Sequence, residues 1–139
     1  MAKPSSPGTK VEVVVVNAGG EISPQIQQGL REKRYATRII QGFANLKTAL
    51  QNLNDPVLLV EAGPNPSSVE KCVKMLAQIS SELQHPVILI GDGADQYERE
   101  LDTLFPATTT LNIPYGTVEI LAALNYITRS YIERKKKAP

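Results

Sequence analysis

Pro56-Val57-Leu58-Leu59-Val60-Glu61-Ala62-Gly63-Pro64-Asn65-Pro66 decides the fold of this chain. Val57 to Val60 are apolar without alternation, the pattern of a strand covered on both faces in a parallel sheet. Gly63 and Pro64 interrupt it. A helix then follows with two possible starts. Asn65-Pro66 is a cap with a first-turn proline, and Ser67-Ser68-Val69-Glu70 is a capping box. Ligands of open α/β sheets sit just beyond the carboxyl ends of the strands. Any chemistry therefore belongs near Glu61.

The same alternation of strand and helix extends in both directions. Val11 to Val16 is a β-branched run that reads as a strand. Asn17-Ala18-Gly19-Gly20 is a loop, and Ser23-Pro24 opens a helix with Ile22, Ile26 and Leu30 on its buried stripe, ending near Arg34. Ala36 to Ile40 is a second strand. A helix from about Ala44 to Leu53 places Leu46, Ala49, Leu50 and Leu53 on one face. Beyond the quoted stretch, Val69, Val73, Leu76, Ile79 and Leu83 line the next helix. Pro86 to Ile90 is a fourth strand, Gln96 to Leu104 a short polar helix and Thr108 to Ile113 a fifth strand. Thr117 can cap a last helix carrying Ile120, Leu121, Leu124, Ile127 and Tyr131. The order βαβαβαβαβα implies one α/β domain, a five-stranded parallel sheet with helices on both faces.

Composition narrows the function classes. The chain has 139 residues, 42% of them hydrophobic, enough for one core without staples. Its single cysteine, Cys72, excludes an internal disulfide, fits a reducing compartment and reads as a small apolar helix residue. With one histidine and one cysteine, a structural zinc site would need unusual ligands. No apolar run approaches the roughly 20 residues of a membrane span, and residues 1–9 read as a disordered Pro/Ser-rich leader without an export core. Five of the 15 basic residues lie between Arg129 and Lys137, leaving a body of net charge −3. A mildly acidic body with a basic tail does not fit nucleic-acid binding.

Three stretches carry a resemblance to the response-regulator receiver domain over residues 10–134. Asp55-Pro56-Val57-Leu58-Leu59-Val60-Glu61-Ala62-Gly63-Pro64 is similar to the receiver strand that ends in a phosphoacceptor Asp with a Pro four residues later. Leu111-Asn112-Ile113-Pro114-Tyr115 is similar to the strand-end Lys and cis-Pro. Pro86-Val87-Ile88-Leu89-Ile90-Gly91 is similar to the strand ending in Thr or Ser. The resemblance implies a flavodoxin-like three-layer sandwich. It also implies that each chemical position is lost. The magnesium-binding acid pair falls on Asn17 and Ala18, the phosphoacceptor on Val60, the hydroxyl residue on Gly91 and the lysine on Ile113. Phosphoryl transfer needs a carboxylate-held divalent ion and a cation against the developing charge. The chain resembles a pseudo-receiver, with a cytoplasmic place in two-component signal transduction, and no cofactor is expected.

The remaining polar residues have competing readings. Glu61 reads first as a solvated loop carboxylate, and alternatively as a fixed mimic of the phosphorylated state or a residual metal ligand. Asp92 and Asp95 read as caps of the following helix, or as cation ligands with Glu61. No GxGxxG or GxxxxGK[ST] motif accompanies Gly19-Gly20 or Gly63. Ser67 and Ser68 lack an activating partner, because the one histidine, His85, belongs to the amino-end side of the sheet. The expected function is phosphorylation-independent regulation through a protein partner or a homodimer, working with or fused to an output domain, without nucleic acid or membrane binding and without enzymatic activity. In receivers the fourth helix, fifth strand and fifth helix form the usual partner face, so Tyr97, Leu101, Tyr115, Tyr126 and Tyr131 are the candidate interface. The alternative is a small ligand- or cation-binding domain using the loops at the carboxyl edge of the sheet.

Overall fold

The computed structural model describes residues 12–18, 24–33, 35–51, 53 and 56–137, with side chains through residue 130. Five strands, β1 (Glu12–Asn17), β2 (Ala36–Gln41), β3 (Val57–Gly63), β4 (Val87–Gly91) and β5 (Thr108–Leu111), alternate with five helices. The helices are α1 (Pro24–Glu32), α2 (Leu46–Leu50), α3 (Pro66–Ile79), α4 (Glu98–Leu104) and α5 (Thr117–Lys137). All four strand pairings are parallel, in the order β2-β1-β3-β4-β5. This is the flavodoxin-like order, and its direction reverses between β1 and β3, which makes a crevice at their carboxyl ends.

The unbroken apolar runs are explained by two layers. Val13, Val15, Val57, Leu59, Ile88 and Ile90 meet Ile26, Leu30, Ile120, Leu124 and Ile127 of α1 and α5. Val14, Val16, Leu58, Val60, Val87 and Leu89 meet α2, α3 and α4 through Leu46, Val69, Val73, Leu76 and Leu101. Side chains alternate across a strand, so each central strand serves both layers. Every residue of β3 is buried, and burying each large aliphatic side chain stabilises the fold by about 1.5–3 kcal/mol. α1 meets α5 at Gly29, where a Cβ would stand 3.4 Å from Ile120 Cγ2, an ordinary packing contact.

Boundaries depart from the sequence reading in instructive ways. β3 runs on to Gly63, so Glu61 belongs to the strand and not to a loop. α3 starts at the Asn65 cap, whose Oδ1 accepts from Ser67 N at 3.0 Å; the capping box is not used. α2 spans only Leu46–Leu50, shorter than the expected 44–53, and Leu53 packs partly buried on the core without being helical. α1 ends at Glu32. The polar helix starts as a 3-10 turn at Ala94–Tyr97 before α4. β5 stops at Leu111, leaving Ile113 in the connection to α5, where the Ile113–Pro114 bond is cis. Gly116, not Thr117, caps α5: its carbonyl accepts from Ile120 N at 3.2 Å and its N–H donates to Glu119 Oε1 at 2.8 Å. Ser23, Ile22, Gly19-Gly20, the leader and the Tyr131 side chain lie outside the described residues.

The layered core makes a position-specific stability contrast. Leu76 is fully buried and its neighbour Met75 is 39% exposed on the same helix. Leu76→Ala is expected to lower unfolding free energy by about 2–5 kcal/mol, and Met75→Ala by under about 0.5 kcal/mol, read from urea denaturation midpoints.

Candidate functional site

The crevice at the strand-order reversal is built from one register row. Gln41 on β2 pairs with Asn17 on β1, which pairs with Glu61 on β3; Glu61 in turn pairs with Ile90 on β4. All lie on the α1/α5 side of the sheet, by the alternation that puts Val15, Leu59 and Ile90 there. The row is polar over β2, β1 and β3, and becomes apolar at β4. Asn17 is buried and donates from Nδ2 to Gln41 Oε1 at 3.0 Å. Half-buried Ala18 donates its N–H to the Glu61 carbonyl at 2.9 Å, tying the end of β1 to β3.

Glu61 is the chemical centre of this row. Only 4% of it is exposed, which overturns its reading as a solvated loop carboxylate. The cause is the extra length of β3: the strand carries Glu61 inward before Gly63, at φ 86°, turns the chain out. Its Oε2 accepts from the Tyr115 hydroxyl at 2.6 Å, and its Oε1 accepts from Gly63 N at 3.3 Å. Burial pushes the carboxyl pKa above its ordinary 4.5, and the bonds from Tyr115 and Gly63 only partly offset this. No cation pairs with Glu61 among the described residues, whose ion pairs are Lys47–Glu82 and Lys74–Glu70.

The receiver-like positions separate in space. Val60 is fully buried and faces the α2/α3/α4 layer, opposite Glu61, because one residue of shift along a strand changes the face. Gly91 closes the other side of β3. A Cβ built on it would stand 2.6 Å from Val69 Cγ2 and 3.2 Å from both Ala62 Cβ and the Gly63 carbonyl oxygen. Val69 therefore occupies the space that a hydroxyl side chain at Gly91 would need. Ile113 is half-buried beyond the end of β5.

Asp92 and Asp95 cap neither helical segment through their side chains. Their main chains take part instead: Asp92 N donates to the Gly63 carbonyl at 3.3 Å, and Asp95 N donates to Asn112 Oδ1 at 3.1 Å. No group of three or more His, Cys, Asp or Glu residues that could hold a metal ion occurs among the described residues. His85 lies just before β4, at the amino end of the sheet, with a buried Nδ1 that has no partner among the described residues and a pKa lowered by burial. Ser67 stands at the start of α3, where its hydroxyl donates to Asn65 Oδ1 at 2.8 Å. Cys72 is a core residue of α3, its thiol pushed up to about 11 by burial.

The candidate interface divides. Leu101 is fully buried in the α3-side core, so it is not a surface residue; the inward face of so short a helix needs it there. Tyr115 turns in to Glu61 and packs on the α1/α5 core, which corrects its assignment to the interface. Tyr97 is partly buried against the core. Tyr126 is 58% exposed on α5, as is Val118 at 76%. The partners that sequence reasoning missed are Gln41, Val69 and the inward role of Tyr115. A tyrosine directly after Pro114 at a strand's carboxyl end was the one available signal.

No helix of the described residues is long and apolar enough to cross a membrane. No family model, curated protein or solved structure matches the chain.

Three substitutions probe the site. Glu61 has a folded pKa above its unfolded value of about 4.3, so it binds more protons folded than unfolded in that window. Its protonated form favours the fold; that contribution is complete below the unfolded pKa and is lost as pH rises through the folded pKa. Wild type should therefore lose stability relative to Glu61→Gln as pH rises from about 4 through the folded pKa, while a 13C titration of the carboxyl gives a midpoint above 4.5. Tyr115→Phe should move that midpoint further up, since a lowering bond is gone. Gly91→Thr should cost about 1–3 kcal/mol by crowding Val69, measured by urea denaturation.

Proposed function

We propose that this domain is a receiver-like module that works through protein contacts, without phosphorylation, beside or fused to an output domain. The observation that carries this reading is the packing of β3 and β4 at their carboxyl ends. The residue at the phosphoacceptor position, Val60, is apolar and sealed from solvent, and Val69 fills the place of a hydroxyl side chain at Gly91. Chemistry at an aspartyl phosphate needs an exposed carboxylate, a metal and a cation, and this packing leaves no room to recover them by one substitution. Glu61, held by Tyr115, stands in the domain as a fixed hydrogen-bonded group. The surface offered to a partner includes Val118 and Tyr126, both exposed on α5.

The polar row Gln41–Asn17–Glu61 at the strand-order reversal favours a second reading, a small ligand bound at the carboxyl edge. One experiment separates the two. In an amide NMR titration with magnesium and beryllofluoride, a phosphoryl mimic, the module reading expects no shifts at Asn17, Glu61 or Gly91. Clustered shifts there overturn it and favour an anion-binding edge. In parallel, sedimentation of the chain alone and with its output domain should show an association weakened at least about tenfold by Val118→Lys with Tyr126→Ala. No change in association removes α5 from the proposal.

A further inference from the structure

Among the described residues β2 closes one side of the sheet and pairs only with β1. Parallel sheets normally have both faces covered, yet five of its six residues are exposed and Ile40 is half-buried. Two features produce this. α2 is a single short turn at Leu46–Leu50, and α1 packs toward α5 through Gly29, so neither helix spreads over β2. Ile39, 48% exposed, stands on the uncovered side.

Each face of this one strand borders a concavity. On the α1 side a cavity of about 200 Å3 is lined by Val15, Leu30, Tyr35, Thr37 and Ile39, with Arg31 at its rim. On the α2 side a cavity of about 130 Å3 is lined by Glu12, Ala36, Thr37, Arg38 and Leu53. Both are below the roughly 300–1,000 Å3 of small-molecule sites, and suit single side chains. A strand added to a sheet edge places alternate side chains on opposite faces. Thr37 borders both cavities, so such a strand fills them in turn.

We propose that the free edge of β2 is a docking site for an extended peptide segment of a partner protein, one that alternates large apolar and acidic side chains. Main-chain hydrogen bonds to the outward N–H and C=O groups of β2 supply register-specific affinity. The apolar side chain enters the α1-side cavity. The acidic one meets Arg38, an exposed residue whose Nη1 donates to the Ala49 carbonyl at 3.3 Å and whose other nitrogens have no partner among the described residues. Arg31, Lys33 and Arg38 are all exposed along this border. The acids nearby are already engaged: Glu32 accepts from Gln28 Nε2 at 3.0 Å, and half-buried Glu12 makes an interaction of its own. The charge left to a partner is therefore positive. That argues against a second copy as the occupant, because Ala36–Gln41 carries no acid to meet Arg38, and an antiparallel β2 pair centred on Arg38 would bring two of these side chains together.

The test is a selection of random displayed peptides of about ten residues, long enough to span the strand, against the full chain. Enriched peptides are then titrated with amide NMR detection. Alternating apolar and acidic positions in the enriched set, shifts over residues 36–41, and binding at least about tenfold weaker in both Arg38→Glu and Ile39→Lys are expected. Both variants should keep wild-type shifts in β4 and α5. No enrichment, shifts confined to α4 and α5, or binding unaffected by both substitutions overturns the proposal. So does a dimer of the chain alone that Ile39→Lys dissociates, which would make a second copy the occupant.

Discussion

The whole domain depends on three adjacent strands that keep nearly every side chain from water. β1, β3 and β4 are buried along almost their entire length. An interior strand of that kind has no face to give to solvent, so both faces need helices, and the chain supplies them by crossing over after each strand. The five-strand order follows, and with it the crevice where the order reverses. Everything at the carboxyl edge is then judged by how far it lies inside this dry slab.

Glu61 shows what that position does to chemistry. On the surface it would be an ordinary carboxylate. Carried two residues inside the end of β3, it loses water on most sides and depends on the Tyr115 hydroxyl and the Gly63 N–H. Its proton affinity rises because a buried charge costs more than these two bonds return. The same bond ties the end of β3 to the connection that feeds α5, so the carboxyl edge of the sheet and the start of the last helix share a structural link.

Coverage of the sheet is uneven. β4 and β3 are sealed by α3 and α5, and Val69 against Gly91 marks how tightly. β2, at one side, has a short helix on one face and a displaced helix on the other. β5, at the opposite side, is protected differently: Thr108 and Thr110 donate to Asp102 and Glu98 of α4 at 2.9 Å each. Both edges are tied to a neighbouring helix by side-chain bonds, β5 to α4 and β2 to α2 through Arg38 and the Ala49 carbonyl, but β2 is exposed along nearly its whole length whereas β5 is at least half-buried.

Sequence by itself determined the architecture. Runs such as Val13–Val16, Val57–Val60 and Val87–Ile90 are apolar without period, the intervening helices repeat at 3.6, and turn residues separate them; each is a local pattern that the two-layer burial then satisfies. Asn65-Pro66 announced the start of α3 by the same local logic. What only the tertiary structure decided were the partners and depths of single side chains. Nothing near Glu61 in the chain names Tyr115, 54 residues away, and nothing near Gly91 names Val69 as the residue filling its space. Leu101 and Tyr126 are both candidate interface residues by sequence, yet one is fully buried and the other 58% exposed. Local pattern sets which residues share a face, whereas packing between elements distant in sequence sets what that face meets.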